Sequence, residues 1–237
     1  MHLRIDWKYV VAFFALNGVI SELHEQAHII TNRIGAGCYF ERDFNNLFAC
    51  PGVSPHTDLA AIAASFAGPL FSYLVMWFGA WLLTRAATPA GRSIGFSLIF
   101  APLPFARIFT ALMGGGDERN VLRMVFDGVV ALPATRWMAV AMTLAFCAPP
   151  VWMAWRVIAN RHRGWIVAAL CVVPLLVIGG YKLLFLNALL LKGVLATPLI
   201  FGTPLFVVLV FGFMVVATAL SWRWLQGLES DRSALPA

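Results

Sequence analysis

The run best suited to bond-breaking chemistry is His24-Glu25-Gln26-Ala27-His28, which follows an apolar stretch from Tyr9 to Ile20. Four residues advance a helix by about 400°, so the two imidazoles leave one face a turn apart, as a tetrahedral zinc ion requires of a ligand pair. Glu25 projects close to that face, where its carboxylate can take a proton from a water activated by the ion. The competing reading is the wet end of a span turned toward headgroups. It must explain why two His and two Glu interrupt an apolar helix, where each ionisable group is costly unless paired or metal-bound.

A second segment, Ser65-Phe66-Ala67-Gly68-Pro69-Leu70-Phe71-Ser72, lies in the next apolar block. Pro69 removes a helical hydrogen bond and opens a kink, while Gly68 thins the helix so that a neighbour can approach. Gly and Pro are also ordinary constituents of membrane helices, so this segment alone reads equally as packing.

The elements that must carry these residues follow from composition. The chain is 61% apolar and 12% charged, against about 25% charge in soluble domains, which points to lipid as the main solvent. Apolar stretches of spanning length occur at about 7–31, 58–84, 91–113, 135–159, 165–190 and 203–226. The expected fold is all-α, a polytopic membrane protein of about six helices with a metal site near one face. Residues 1–237 form one integral membrane domain. The net charge of +6 sits between the apolar blocks, which suits anionic headgroups and leaves no nucleic-acid footprint. Nor is there a nucleotide-binding domain. Five His are too few for a His-rich di-iron centre, and four Cys without a CxxC make no thiolate zinc site.

Two connections are long. Residues 32–57 contain Cys38, Cys50 and His56 and read as an ordered loop with a short hairpin. Residues 114–133 open with Gly114-Gly115-Gly116-Asp117 and continue as an amphipathic helix at the membrane surface. Arg107 and Lys182 lie inside spans; both are expected to snorkel, with holding a substrate carbonyl or pairing with Asp117 the alternatives for Arg107. The Lys and Arg balance between alternate connections favours a cytoplasmic N-terminus with the 32–57 loop outside, where Cys38 and Cys50 could pair; a cytoplasmic loop with two free thiols is the alternative.

The order of HExxH and Ser-x-x-Gly-Pro-x-x-Ser in successive spans resembles the site-2 protease family of intramembrane zinc metalloproteases, over roughly residues 17–120. The resemblance implies that His24 and His28 bind zinc, that Glu25 is the general base, and that Ser65, Gly68, Pro69 and Ser72 lie beside the site and place the substrate. That substrate would be a membrane-spanning protein segment. Residues 1–120 would then be a metalloprotease-like core and 121–237 additional transmembrane helices, with the bilayer as the other partner and the bacterial cytoplasmic membrane as the expected location.

The third ligand departs from the family pattern. Where the family carries Asp followed by Gly, this chain has Pro102-Leu103-Pro104-Phe105-Ala106-Arg107, with Pro104 in the Asp position. Asp117, after three glycines at the exit of the same span, is the preferred substitute, with helix capping as its competing role. Asp127, His56 and Asp58 are the remaining candidates. In any six-span topology His24, His28, the Ser65–Ser72 segment and Asp117 fall on one side. Alternative functions are a zinc hydrolase of a lipid or lipidated substrate, and a non-catalytic metal-binding or transport protein. Transport would call for polar residues throughout the later spans, which hold almost none besides Lys182.

Overall fold

A computed structural model describes residues 1–44, 47–48 and 59–229. Helix α1 (Trp7–Ala36) starts where the Asp6 carboxylate accepts from the Tyr9 amide at 2.9 Å, and stops at Gly37, whose φ of 76° a side chain would disfavour. A two-residue hairpin, β1 (Glu41–Arg42) with β2 (Leu47–Phe48), follows in the expected loop. Next come α2 (Leu59–Arg85), α3 (Pro89–Phe100), α4 (Pro104–Leu112), α5 (Asp117–Val125), α6 (Leu132–Val157) and α7 (Arg163–Ile178). Helix α7 runs on through a π-helical segment, Gly179–Leu186, into α8 (Asn187–Leu191). A hairpin of β3 (Pro198–Ile200) and β4 (Thr203–Pro204) leads to α9 (Leu205–Gln226).

Five helical stretches among the described residues are long and apolar enough to cross a membrane: Leu59–Arg85, Pro89–Leu112, Leu132–Val157, Arg163–Leu191 and Leu205–Gln226. This is consistent with an integral membrane protein. The expectation of six is corrected at α1, whose second half carries Glu22, His24, Glu25 and His28 and is too polar to count. That helix is instead the packing centre, with Ala12, Phe13, Leu16 and Asn17 buried. The third expected span is present as Pro89–Leu112, with an internal break that the sequence reading did not include. It is broken between α3 and α4, where Leu103 adopts φ 55° and Pro104 takes the first helical position. Asn17 meets that break, donating from Nδ2 to the Ala101 carbonyl at 2.6 Å, which satisfies an acceptor that the helix no longer uses.

Helices α2 and α3 approach through glycine. A Cβ on Gly95 would come within 2.7 Å of the Gly79 carbonyl oxygen, the close backbone contact that small residues permit between membrane helices. The main core joins Tyr9, Phe13, Phe96, Ile99, Phe100, Ala154, Leu170 and Leu225. At that end of the bundle the chain is stitched by backbone and side-chain bonds. Arg4 N donates to Leu228 O at 2.8 Å, and Asn160 both accepts from Leu3 N at 2.8 Å and donates to Leu3 O at 3.1 Å. The Arg92 guanidinium reaches Glu229 at 2.8 Å. The HExxH half of α1 lies toward the other end.

Candidate metal centre

His24 and His28 project from α1 toward the stretch of α2 that carries Ala64, Gly68 and Ser72. Their Nε2 atoms lie 3.2 Å apart, and Oδ2 of Asp117 lies 3.4 Å from the first and 3.7 Å from the second. A tetrahedral ion with bonds of 2.0–2.2 Å holds its ligands about 3.3–3.5 Å from one another. The three atoms therefore form a triangle of the size such an ion sets, and this group could hold a metal ion. Two nitrogens and one oxygen fit a borderline cation, and a three-residue set leaves a coordination position for water or substrate.

Both imidazoles are oriented by their other nitrogen. His28 Nδ1 donates to the Ala64 carbonyl at 2.7 Å, one residue before the Ser65 carbonyl that Pro69 leaves without its helical donor. His24 Nδ1 meets Ser72 Oγ at 3.0 Å. With the proton on Nδ1 in each ring, Nε2 keeps its lone pair for the ion, the arrangement that fixes metal-binding histidines. Gly68 sits beneath them. A methyl group there would overlap His28 Nε2 and Cδ2 and His24 Cε1, so the glycine of the Gly-Pro pair is required by the imidazoles themselves. Ser65 and Glu25 line the cavity that the triad borders, a space of about 630 Å³.

Asp117 is the first residue of α5 and makes no capping bond; Gly116, with φ 90°, stands at the N-cap. Burial would raise the pKa of its carboxyl, but the facing His24 and His28 imidazoles outweigh this and hold it well below the ordinary carboxylate range. Asp127 lies beyond α5 in an exposed turn, away from the triad. His56, Asp58 and Cys50 lie outside the described residues, and with Cys50 the pairing considered for Cys38.

The next residue, Glu118, was not singled out by its sequence, and it anchors the site. It is buried, and its Oε1 accepts from Arg107 Nη1 and from the Tyr73 hydroxyl, both at 2.6 Å. Fixing Glu118 fixes the start of α5 and hence Asp117. An arginine inside a span demands an acidic partner, which is the signal that could have found it. Arg107 therefore does not snorkel and pairs with Glu118 rather than Asp117. Its Nη2 lies 2.8 Å from His24 Nδ1 and 3.3 Å from Nε2. No in-plane position satisfies both distances without overlapping ring carbons, so the guanidinium rests on the imidazole face and leaves both nitrogens free in the ring plane. Helix α5 is also less superficial than its wheel suggests, because Glu118 and Val121 face inward.

Lys182 is corrected likewise. It lines the same cavity from the π-helical segment and donates to Ser21 Oγ at 2.8 Å. Glu22 is held by Arg42 of β1, which grips it with two bonds of 2.6 and 3.0 Å. Gln26 then links Glu22 to Thr203 of β4.

Comparison with protein-family models, with curated proteins and with solved structures gave no match. What the fold and the site define is a class: a helical protein with five membrane-length helical stretches among the described residues and a His-His-Asp group, its imidazoles buried and its carboxylate half-buried, able to hold a metal ion.

Proposed function

We propose that this protein is an intramembrane zinc metalloprotease that hydrolyses a peptide bond in a membrane-spanning substrate. The observation that carries the reading is the ligand triangle with Glu25 on the same cavity wall, built between membrane-length helices. The sequence resemblance to site-2 proteases supports it, because Gly68 and Ser72 of the shared pattern both act on the imidazoles. Zinc held by His24, His28 and Asp117 would supply Lewis acidity, bringing the ionisation of a water toward neutral pH and polarising a carbonyl.

The remaining chemistry belongs to side chains. The Glu25 carboxylate takes the proton of the attacking water as oxygen bonds to the carbonyl carbon, and returns it to the departing nitrogen as the C–N bond breaks. His24 and His28 stay neutral, held in one tautomer by Ser72 and Ala64. The Ser65 hydroxyl and the Ser65 carbonyl, which Pro69 leaves without its helical donor, offer polar groups to an unwound substrate backbone, which a closed helix would keep shielded by its own hydrogen bonds.

The test is Glu25→Gln in purified protein with a helical transmembrane substrate. Metal content and helicity should match wild type while cleavage is lost, since the carboxylate serves the water rather than the ion. Full cleavage by this variant would overturn the protease reading, and loss of metal would make Glu25 a ligand instead. Asp117→Ala should lower zinc affinity about 100-fold or more, whereas Asp127→Ala should leave it unchanged.

A further inference from the structure

Lys182 has no part in the chemistry above, yet its placement is costly. An ammonium within a span is tolerated where it has a partner or a polar cavity, and π-helical turns are rare and concentrate at functional sites. Here the two coincide. The π segment Gly179–Leu186 presents Lys182 and Gly179 to the cavity opposite the HExxH face of α1. Ser21, which accepts from Lys182 Nζ, lies one helical turn before Glu25 and so holds the ammonium beside the catalytic wall. A Cβ on Gly179 would meet nothing within 4 Å, so the glycine leaves open space next to the cation.

The charges lining this cavity sharpen the point. Glu25, Asp117 and Glu118 are acidic, and Arg107 and Lys182 are basic. Arg107 is committed to Glu118 through a 2.6 Å ion pair, while Ser21, the hydrogen-bond partner of Lys182, carries no charge. Taken with a divalent cation, the lining carries one net positive charge. The loaded cavity is therefore complementary to a single added negative charge, and a cation in a low-dielectric site stabilises such charge far more than in water.

Resting on the metalloprotease reading, we propose that Lys182 is the electrophilic residue of the site, donating a hydrogen bond to the carbonyl oxygen of the scissile peptide as negative charge develops there. No proton need be transferred. The water oxygen bonds to carbon, its proton passes to Glu25, and the carbonyl π electrons move onto the oxygen that Lys182 faces. The flexible stem lets the ammonium leave Ser21 for the substrate, and the space beside Gly179 admits it.

The experiment uses Co2+-loaded protein in detergent, with the visible spectrum of the ion as reporter and methylphosphonate, a small tetrahedral anion, as probe. Lys182→Met should weaken methylphosphonate binding at least tenfold with Co2+ affinity and the starting spectrum unchanged; Lys182→Arg should stay within about threefold of wild type. Gly179→Leu, which has room to fold, should weaken the anion by crowding with the cation still present. Unchanged anion affinity in Lys182→Met would overturn the assignment, as would a parallel fall in Co2+ affinity, which would make the lysine a support for the metal ligands. Peptide cleavage is read separately. Lys182-dependent anion binding without cleavage by wild type would discard proteolysis and retain the anion site, whereas cleavage unaffected by Lys182→Met would retain proteolysis and overturn the electrophilic role.

Discussion

The helices that hold the ligands and the helix that faces them are built on different terms. Among the helices packed around the ligands, a third (33%) of the Leu59–Arg85 window, which orients both imidazoles, and half of the Pro89–Leu112 window, which supplies Arg107, are buried within the protein, against about a tenth (11%) of the Arg163–Leu191 window. On the ligand side, each polar group is held by another: Ser72 by His24, Glu118 by Arg107 and Tyr73, Ala64 by His28. The facing stretch offers exposed Val173, Leu176, Leu184 and Phe185 outward and a single lysine inward. Geometry that must be kept to tenths of an ångström is thus placed where packing is dense. The opposite wall is left with little to lose by moving.

The largest expected break in this contrast is Glu118→Ala. It strands the Arg107 guanidinium in the interior, a loss of about 3–5 kcal/mol for a buried pair, measurable by thermal unfolding in detergent. Metal affinity should fall with it, because Asp117 loses its anchor. Gly68→Ala comes next. Overpacking costs about 1–3 kcal/mol, and since the methyl group meets imidazole nitrogen and carbon, metal content should drop more than helicity.

Ser72→Ala tests the orientation of His24 alone. Loss of such a hydrogen-bond partner lowers metal affinity about 10–100-fold, readable by competition with a chelator, with the melting temperature nearly unchanged. The smallest effect is expected across the cavity, where Leu184→Ala, on an exposed position, should stay within about 0.5 kcal/mol of wild type. A large loss there would show that the facing wall is as constrained as the ligand side.

His24, Glu25 and His28 were legible in the sequence because helical periodicity alone sets their relation, and Asp117 because counting spans fixes its side. What was not legible depended on partners distant in the chain. Glu118 reads as one more acidic residue until Arg107 and Tyr73 are brought to it across a helix break. Lys182 was misread because snorkelling is a rule about one residue and its depth, blind to a cavity on the inner side. Helix α1 read as one more span at 7–31, although its polar half takes it out of that class and α2 and α9 enclose it. The β3–β4 hairpin was missed because its signal is short, and its turn at Phe201-Gly202 is packed on Phe40, a contact of the tertiary fold.

The stitching at the far end of the bundle has a mechanical consequence. Residues 86–88 and 158–162 make short links there, and Leu3, Arg4, Asn160 and Leu228 tie strand-like segments across it, while the links at the metal end are long. Such a body pivots at its clamped end. A rod of about 20 helical residues is about 30 Å long, so a tilt of only about 5° there displaces its far tip by roughly 2.6 Å. Angular play too small to disturb the core around Phe96 and Phe100 therefore becomes, at the cavity mouth, a clearance approaching the width of a polypeptide backbone.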